Sequence, residues 1–489
     1  MNVEDILKIE KKYGLYDDEI DGVNYWLYVR HRLLQYDLPR LQGKFEGEVH
    51  ANLVNKRSFI KKMPAISYNM IFRGKIKAKP ADICIVNHAR RVWENGRFEC
   101  KYTRKLYEHY GDNCIYLERF YNYGHLRPID ERNIVYLDYI SIISIICYWS
   151  IRLLQRKKYR ELLCQAECHI GEALAEIAEC YGVQYHLQDM TEDIARIVLK
   201  VKVSKRFFRR LLKKINPRAI VEVVGYSPIS MLINEVAHEM GIPSFELQHG
   251  LIGEEHFAYN YANENRLMQF PDFILLFGDL GRENVRWPID ISHVLPVGFP
   301  YLEEKSSVLK KTGNKDGKKV ILFLSQATVG RELSILAYEL WKLIKDKQLN
   351  VKIIFKLHPG EYLVWKEKYP ELCSISSDSE VQVVDSNKSD LYQLLSQADI
   401  QIGVYSTTIV EGLMWAPKTL IYRMETTSSI IKLLCDNNMA HYIGNAEDIL
   451  DYLTGDEVAG DRIETDHLWK RDAVNNILQA IYKEINRNN

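Results

Sequence analysis

The sequence predicts an α/β protein of two consecutive doubly wound lobes, and three observations carry that reading. Short apolar runs rich in β-branched residues alternate with segments of helical period, first from Ala81 and again from Lys319. Each run ends in a polar or glycine-bearing loop, as the strands of a parallel sheet do where they hand over to a crossover helix. Between the two series lies KKTGNKDGKK, residues 310–319, which has no apolar residue and two glycines and reads as a linker or boundary loop. The expected organisation is a helical segment over residues 1–80, a first α/β lobe over 81–309 and a second over 310–489.

The elements follow in order. Apolar residues recur at helical spacing at Ile6, Ile9 and Tyr13, then at Trp26, Val29, Leu33 and Leu34. DICIVNHA opens the first sheet, YTRKLYEHYG is a helix closed by Gly111, and CIYLER and NIVYLDYI are further strands. Residues 139–151 form an uncharged apolar run followed by Arg152, Arg156, Lys157, Lys158 and Arg160. A helix across a bilayer takes about 20 residues, so this run is too short to span one. It reads either as a buried element with a basic end or as a monotopic contact with anionic lipid. AIVEVVGYS, IPSFELQHG, FPDFILLFGD and HVLPVGFP continue the first sheet, with PISMLINEVAHEMG a helix among them. The second series runs KVILFLSQ, NVKIIFKLHP, VQVVDS, DIQIGVYS and KTLIYR, with helices from Arg331, near Leu391 and from Ile409. Leu468, Trp469, Ala473, Ile477, Leu478 and Ile481 fall on one helical face, which predicts a C-terminal crossover helix returning to the first lobe.

Composition narrows the classes. With 489 residues, 65 Lys+Arg against 65 Asp+Glu and 47% hydrophobic residues, the chain is neither disordered, collagenous nor a small disulfide scaffold. Nine scattered cysteines read as reduced and cytosolic, and MNVEDILKIEKKYG lacks the apolar core of a signal peptide. Cys164, Cys168 and His169 lack a second ligand pair, so ordinary packing is expected of them. The neutral total hides segregation: residues 56–80 carry eight Lys/Arg and residues 200–218 nine, both without an acid. The second stretch suggests a nucleic-acid-binding module as a rival, but it holds no recognised motif and runs directly into a βαβ unit, so no nucleic-acid partner is expected. An anionic membrane surface or a charged glycan fits the basic first lobe better.

In an open parallel sheet, ligands bind beyond the carboxyl ends of the strands. In the second lobe those positions hold Ser325 and Gln326, His358 and Pro359, Asp385, and Ser406, Thr407 and Thr408. Hydroxyls before a helix whose first-turn N–H groups are unpaired suit a phosphate, although plain N-capping explains them too. Glu411, one turn on, is placed to accept from a ribose or sugar hydroxyl. In SQATVGR, Arg331 at a helix start would add a phosphate contact, although the Gly-Lys-Ser/Thr ending of a P-loop is missing. In the first lobe His249 ends a strand, beside Gly250, and reads as base or substrate contact, with Glu254 and Glu255 as rivals and His256 nearby. A purely loop-stabilising role for Gln248 and His249 stays open. Arg90, Arg91, Trp93 and Glu94, in NHARRVWENGRFE, suit an anionic or sugar acceptor, or form a solvated charged loop. No DxD-type pair ends a strand, so no metal is expected.

Together His358, Pro359, Ser406, Thr407 and Glu411 resemble the nucleotide-sugar half of GT-B-type glycosyltransferases, more narrowly the capsule-polysaccharide and sialyl- or Kdo-transferase-like groups. ELQHGLIGEEHFAYNY looks like the Gln-His-Gly segment of surface-polysaccharide biosynthesis proteins, and DGVNYWLYVRHRLL is similar to their N-terminal Trp and Arg segment. The resemblance implies two Rossmann-like lobes and a nucleotide-sugar donor, CMP-linked sugars among the candidates, with no bound cofactor. It implies transfer to a lipid-linked or polysaccharide acceptor by a cytoplasmic enzyme, peripheral on the inner face of the membrane. A nucleotide-sugar 2-epimerase or a polyol-phosphate transferase of the same fold is the alternative.

Overall fold

The computed structural model describes residues 3–43, 64, 68, 78–88, 91–121, 124–262, 266–312, 317–386, 390–415, 418–424, 428–454 and 465–487. Most of the basic stretch at 56–80, and Arg90, lie outside the described residues.

Two parallel sheets organise the chain. The first has seven strands: β1 (Ile83–Val86), β4 (Cys114–Glu118), β5 (Ile134–Tyr136), β6 (Ala219–Val223), β7 (Ser244–Leu247), β8 (Phe273–Leu276) and β9 (Val294–Pro296), in the order β5-β4-β1-β6-β7-β8-β9. The second has six: β10 (Lys319–Leu324), β11 (Val351–Lys356), β12 (Val381–Val384), β13 (Ile400–Gly403), β14 (Lys418–Tyr422) and β15 (His441–Ile443), in the order β12-β11-β10-β13-β14-β15. Both are doubly wound: each starts at its centre, grows to one side, then returns to the other. Strands β1, β6, β7, β8 and β13 are buried at every residue, so apolar residues occupy both of their faces, and the polar residues they carry, Glu222, Ser244, Glu246 and Gln401, are buried with them. The predicted two-lobed class holds.

Helices close the sheets on both faces. One face of the first sheet packs on the N-terminal helices Val3–Lys12 and Tyr25–Arg32 and on the long helices Arg156–Cys180 and Leu187–Ile215. The other face receives the C-terminal helix Ala473–Arg487, whose Ile477, Leu478, Ile481 and Ile485 join Ile85, Tyr116, Val221 and Phe245 in one core. The chain therefore returns to the first lobe, as the face of Ile477 and Ile481 predicts.

Two readings change. The segment expected as a loop around Trp93 is an antiparallel hairpin, β2 (Val92–Glu94) and β3 (Arg97–Glu99), turning at Asn95 and Gly96 with φ +50° and +79°. Asn-Gly between apolar-bearing strands is the residue pair such a turn requires. Residues 200–215 of the basic stretch are the second half of the 29-residue helix Leu187–Ile215, and Asn216, Pro217 and Arg218 lie beyond its end. Its Phe208, Leu211 and Leu212 are core, Lys205 and Arg209 pair with Glu235 and Glu239, and Lys202 pairs with Asp21. Three of the stretch's nine cations are thus answered inside the chain, two of them by the helix Pro228–Glu239.

Candidate active site

Each sheet reverses its strand order beside its starting strand, and there the loops diverge and leave a crevice. In the first lobe the crevice opens between β1 and β6, so His88 and Tyr226 flank it. In the second it opens between β10 and β13, flanked by Ser325, Gln326 and Ser406. Side chains tie the lobes together next to these points. Lys101 Nζ lies 3.6 Å from Glu411 Oε1. The Ser429 N–H and hydroxyl donate to Glu255 at 3.3 and 2.5 Å, while the Glu254 N–H donates to Ser429 Oγ at 3.1 Å. Gly253 permits this approach, because a Cβ there would stand 2.2 Å from Ser429 Oγ.

His249 is the centre of the first-lobe wall. Its Nε2 lies 3.1 Å from Tyr226 Oη and its Nδ1 3.8 Å from Glu246 Oε1, and 16% of its side chain is exposed. Tyr102 donates to its carbonyl at 2.8 Å, and its ring stacks with that of His88. Gln248 accepts from the Phe277 N–H at 2.6 Å and donates to the Gly250 carbonyl at 2.8 Å. Of the pair, Gln248 braces the loop, while the His249 imidazole stays at the crevice. Burial, then His88, His256 and His31, lower the His249 pKa to about 3, so the ring is neutral at physiological pH. It can accept a proton, and an anion bound beside it would raise its basicity.

Behind it stand two carboxyls in register, Glu222 on β6 and Glu246 on β7, both fully buried. Burial raises Glu222 to about 8, with Glu246 adding to the rise, and raises Glu246 to about 7. Tyr259 donates to Glu246 at 2.6 Å and Asn234 to Glu222 at 2.7 Å. Near neutrality the pair keeps a proton that it can give or take. Just past β6, Val224 holds φ +68°, an unfavourable value for a β-branched residue that sets the direction of the turn carrying Tyr226.

The N-terminal helices hold this wall in place. Arg30 and Glu10 are fully buried partners, with Trp26 Nε1 donating to Glu10 at 2.9 Å. Arg30 also donates to the Phe257 and Asn260 carbonyls, fastening the loop that follows His249. Next to it, His31 stacks on His256 with centroids 5.7 Å apart.

In the second lobe Glu361 organises the strand ends. Its carboxylate accepts from Ser325 Oγ at 2.8 Å, Tyr369 Oη at 2.6 Å and the His358 N–H at 2.5 Å. Gly330 lies against it, and a Cβ there, 2.1 Å from Glu361 Oε1, would have to displace the carboxylate. The Gly360 N–H donates to His358 Nδ1 at 3.1 Å, which leaves the proton of the neutral ring on Nε2, on the exposed side chain beside Pro359. Gln326 Oε1 is buried with no donor among the described residues. Ser406 caps its helix, accepting from the Thr408 N–H at 3.2 Å, and Thr407 and Thr408 are half-buried in the first turn. Asp385 accepts from Trp365 Nε1 at 3.3 Å.

Several residues singled out from the sequence have partners inside the chain. Arg91, expected to meet an acceptor, is buried with Glu118 at 2.5 Å and Glu131 at 2.7 Å. Glu94 accepts from Tyr301 at 3.0 Å and pairs with Lys305, while Trp93 is exposed on the hairpin against Phe98. Arg331 is gripped by both oxygens of Glu371. Glu411 is buried, accepting from Tyr392 at 2.7 Å beside Lys101. Glu254 accepts from Asn284 at 3.1 Å, and Glu255 caps the helix Ser429–Asp436 from across the cleft. Sequence reasoning missed Glu361, Tyr226, Lys101 and the carboxyl pair. An acid inside an apolar strand, as in AIVEVV and SFELQ, is the signal that marks Glu222 and Glu246.

No protein-family model matches this sequence, and no curated protein matches it by sequence comparison. Among solved structures, the chain is similar to a protein of Listeria monocytogenes assigned as a UDP-N-acetylglucosamine 2-epimerase, with 11% identity, 84% of this chain and 98% of that chain covered, and a TM-score of 0.50. It is also similar to the UDP-GlcNAc 2-epimerase of Methanocaldococcus jannaschii, at 10% identity over 82% and 99% of the two chains and a TM-score of 0.48. The wall teichoic acid polymerase TagF follows at 14% identity over 89% and 99%, with a TM-score of 0.46. What is shared with the Listeria protein at such identity is the fold: two facing doubly wound lobes of the GT-B type.

Proposed function

We propose that the protein is a glycosyltransferase, moving a sugar from a nucleotide-activated donor to a growing capsule, O-antigen or other cell-surface polysaccharide in the cytoplasm. The observation that carries the reading is the meeting of two unlike half-sites. A neutral His249 stands on the first-lobe wall, where the neighbouring residues Tyr102 and Lys101 link it to Glu411 of the Ser406-capped helix, and the second-lobe strand ends carry the Thr407 and Thr408 hydroxyls and the His358 ring. In this reading the donor's phosphates lie on the second lobe, against His358 and the Ser406–Thr408 turn, with Ser325 holding Glu361 beneath them and Gln326 Oε1 taking a donor group of the nucleotide. Their charge raises the basicity of His249, which then takes the proton of the acceptor hydroxyl as it attacks the anomeric carbon. Lys101, which Glu411 and Tyr102 keep charged against its burial, stabilises the departing nucleotide.

The test is a thermal-shift panel of UDP, CMP and GDP ligands, then product analysis with the winning donor. His249→Ala should lower kcat by about 10²- to 10⁴-fold with donor affinity kept. His358→Ala should weaken the donor. No nucleotide response, or full transfer by His358→Ala, refutes the proposal.

One observation favours a second reading, a nucleotide-sugar 2-epimerase. Inverting a carbon centre needs a group that removes a proton and one that returns it, and the buried pair Glu222 and Glu246, the latter 3.8 Å from His249 Nδ1 and both raised by burial, would exchange that proton through His249. Deuterium entering the sugar of UDP-GlcNAc in D₂O without an acceptor would decide for it. A polyol-phosphate donor would declare itself in the product.

A further inference from the structure

The helix Asp138–Leu154 is apolar on both sides, yet only one side is covered. Ile140, Ser144 and Tyr148 face inward, next to the helix Leu187–Ile215. The opposite side presents Ile146, Trp149, Leu153 and Leu154, which are 58, 47, 57 and 83% exposed. Within its 17 residues only Asp138 and Arg152 are charged, and Arg152 lies over the Trp149 ring and pairs with Glu192 at 3.6 Å. A helix apolar all round is normally enclosed, and an exposed apolar stripe of this kind marks a surface that something covers.

The covering partner is indicated by the charge that follows. Arg156, Lys157, Lys158 and Arg160 are all exposed at the start of the next helix, and none forms an ion pair among the described residues. No acid interrupts residues 156–160; Glu161 follows them, and Glu192 on the neighbouring helix pairs with Arg152. Large apolar side chains flanked by unpaired cations complement an anionic bilayer, whose phosphates take the cations while its acyl boundary takes the stripe. At 17 residues the helix is about 26 Å long, short of the roughly 30 Å hydrocarbon core, and no helix among the described residues is long and apolar enough to cross a membrane.

We infer that this face docks the first lobe onto an anionic lipid surface, with the helix lying in the interface plane. The inference is independent of the proposed reaction, because it rests on residues away from the crevice. It is tested by sedimenting the full chain with phosphatidylcholine vesicles, with and without a third of phosphatidylglycerol. Wild type should bind the anionic vesicles. Trp149→Ser with Leu153→Ser should reduce partitioning at least about tenfold, and Lys157→Glu with Lys158→Glu about as much, with loss of the phosphatidylglycerol preference. Melting midpoints should stay unchanged, since all four side chains are exposed. No sedimentation of wild type, equal sedimentation by the serine variant, or a dimer that this variant dissociates would overturn it, the last by assigning the face to a second copy.

Discussion

Replacing Arg30 with methionine should destabilise the first lobe by about 4 kcal/mol, because it strands a buried carboxylate. Arg30 and Glu10 are 1% and 0% exposed, and the guanidinium meets both Glu10 oxygens, Nη2 to Oε2 at 3.0 Å. It also serves the Phe257 and Asn260 carbonyls. Methionine fills much of the aliphatic volume, but it leaves Glu10 only the Trp26 and Tyr16 donors. Breaking a buried ion pair from one side costs roughly 3–5 kcal/mol, most of it the unpaired charge. The two carbonyls losing a donor point the same way. Removing both charges, as Arg30→Met with Glu10→Gln, should recover about half the loss, since a buried pair is worth little net against neutral replacements. Thermal melting by circular dichroism should show the midpoint of the lobe falling by about 10 °C for Arg30→Met. A loss below about 1 kcal/mol, or a double variant no better than the single one, refutes the account.

Three further outcomes follow from the site. Glu246 keeps its proton in the native state up to about pH 7 where an unfolded glutamate loses it near 4.5, so its contribution to stability declines as pH rises between those values. The decline is at most about 1.4 kcal/mol per pH unit, and Glu246→Gln removes it. His31, His249 and His256, lowered to between about 3 and 4, act oppositely, their contribution being lost as pH falls below 6.5. The urea midpoint of wild type minus that of the variant, followed from pH 5 to 8, isolates the carboxyl, and parallel curves would contradict its raised pKa. Glu255→Ala deprives the Ser429 N–H of its cap and loosens the cleft at a cost of about 1 kcal/mol, to be read as a larger radius of gyration in small-angle scattering without nucleotide. Glu361→Gln turns an amide toward one of three donors, and calorimetry should find nucleotide affinity down about tenfold; unchanged affinity would remove Glu361 from the support of the donor loop.

The strands were legible because a strand buried on both faces is an apolar run, and the strand-end residues because a parallel sheet puts its loops at one edge. Ser325, His358 and Ser406 are therefore assigned to that edge by the sequence alone. Glu361 was not legible as their organiser, since its three donors come from residues 325, 358 and 369 and only folding brings them to one carboxylate. Arg91 and Arg331 look like ligand contacts in sequence because a guanidinium near a strand end suits an anion. Whether it meets one depends on whether an internal carboxylate already holds it, and here Glu118, Glu131 and Glu371 do.

By itself the sequence determined the class of the fold, the edge at which chemistry-bearing residues gather and the return of the last helix. Apolar period, turn residues and caps act over a few neighbours and are written locally. Tertiary structure decided the strand order that places both crevices, the burial that holds His249 neutral and Glu246 near neutrality, and the partners of each charge. Those depend on contacts such as Arg30 with Asn260, 230 residues apart, and on a dielectric that exists only once the chain has closed around them.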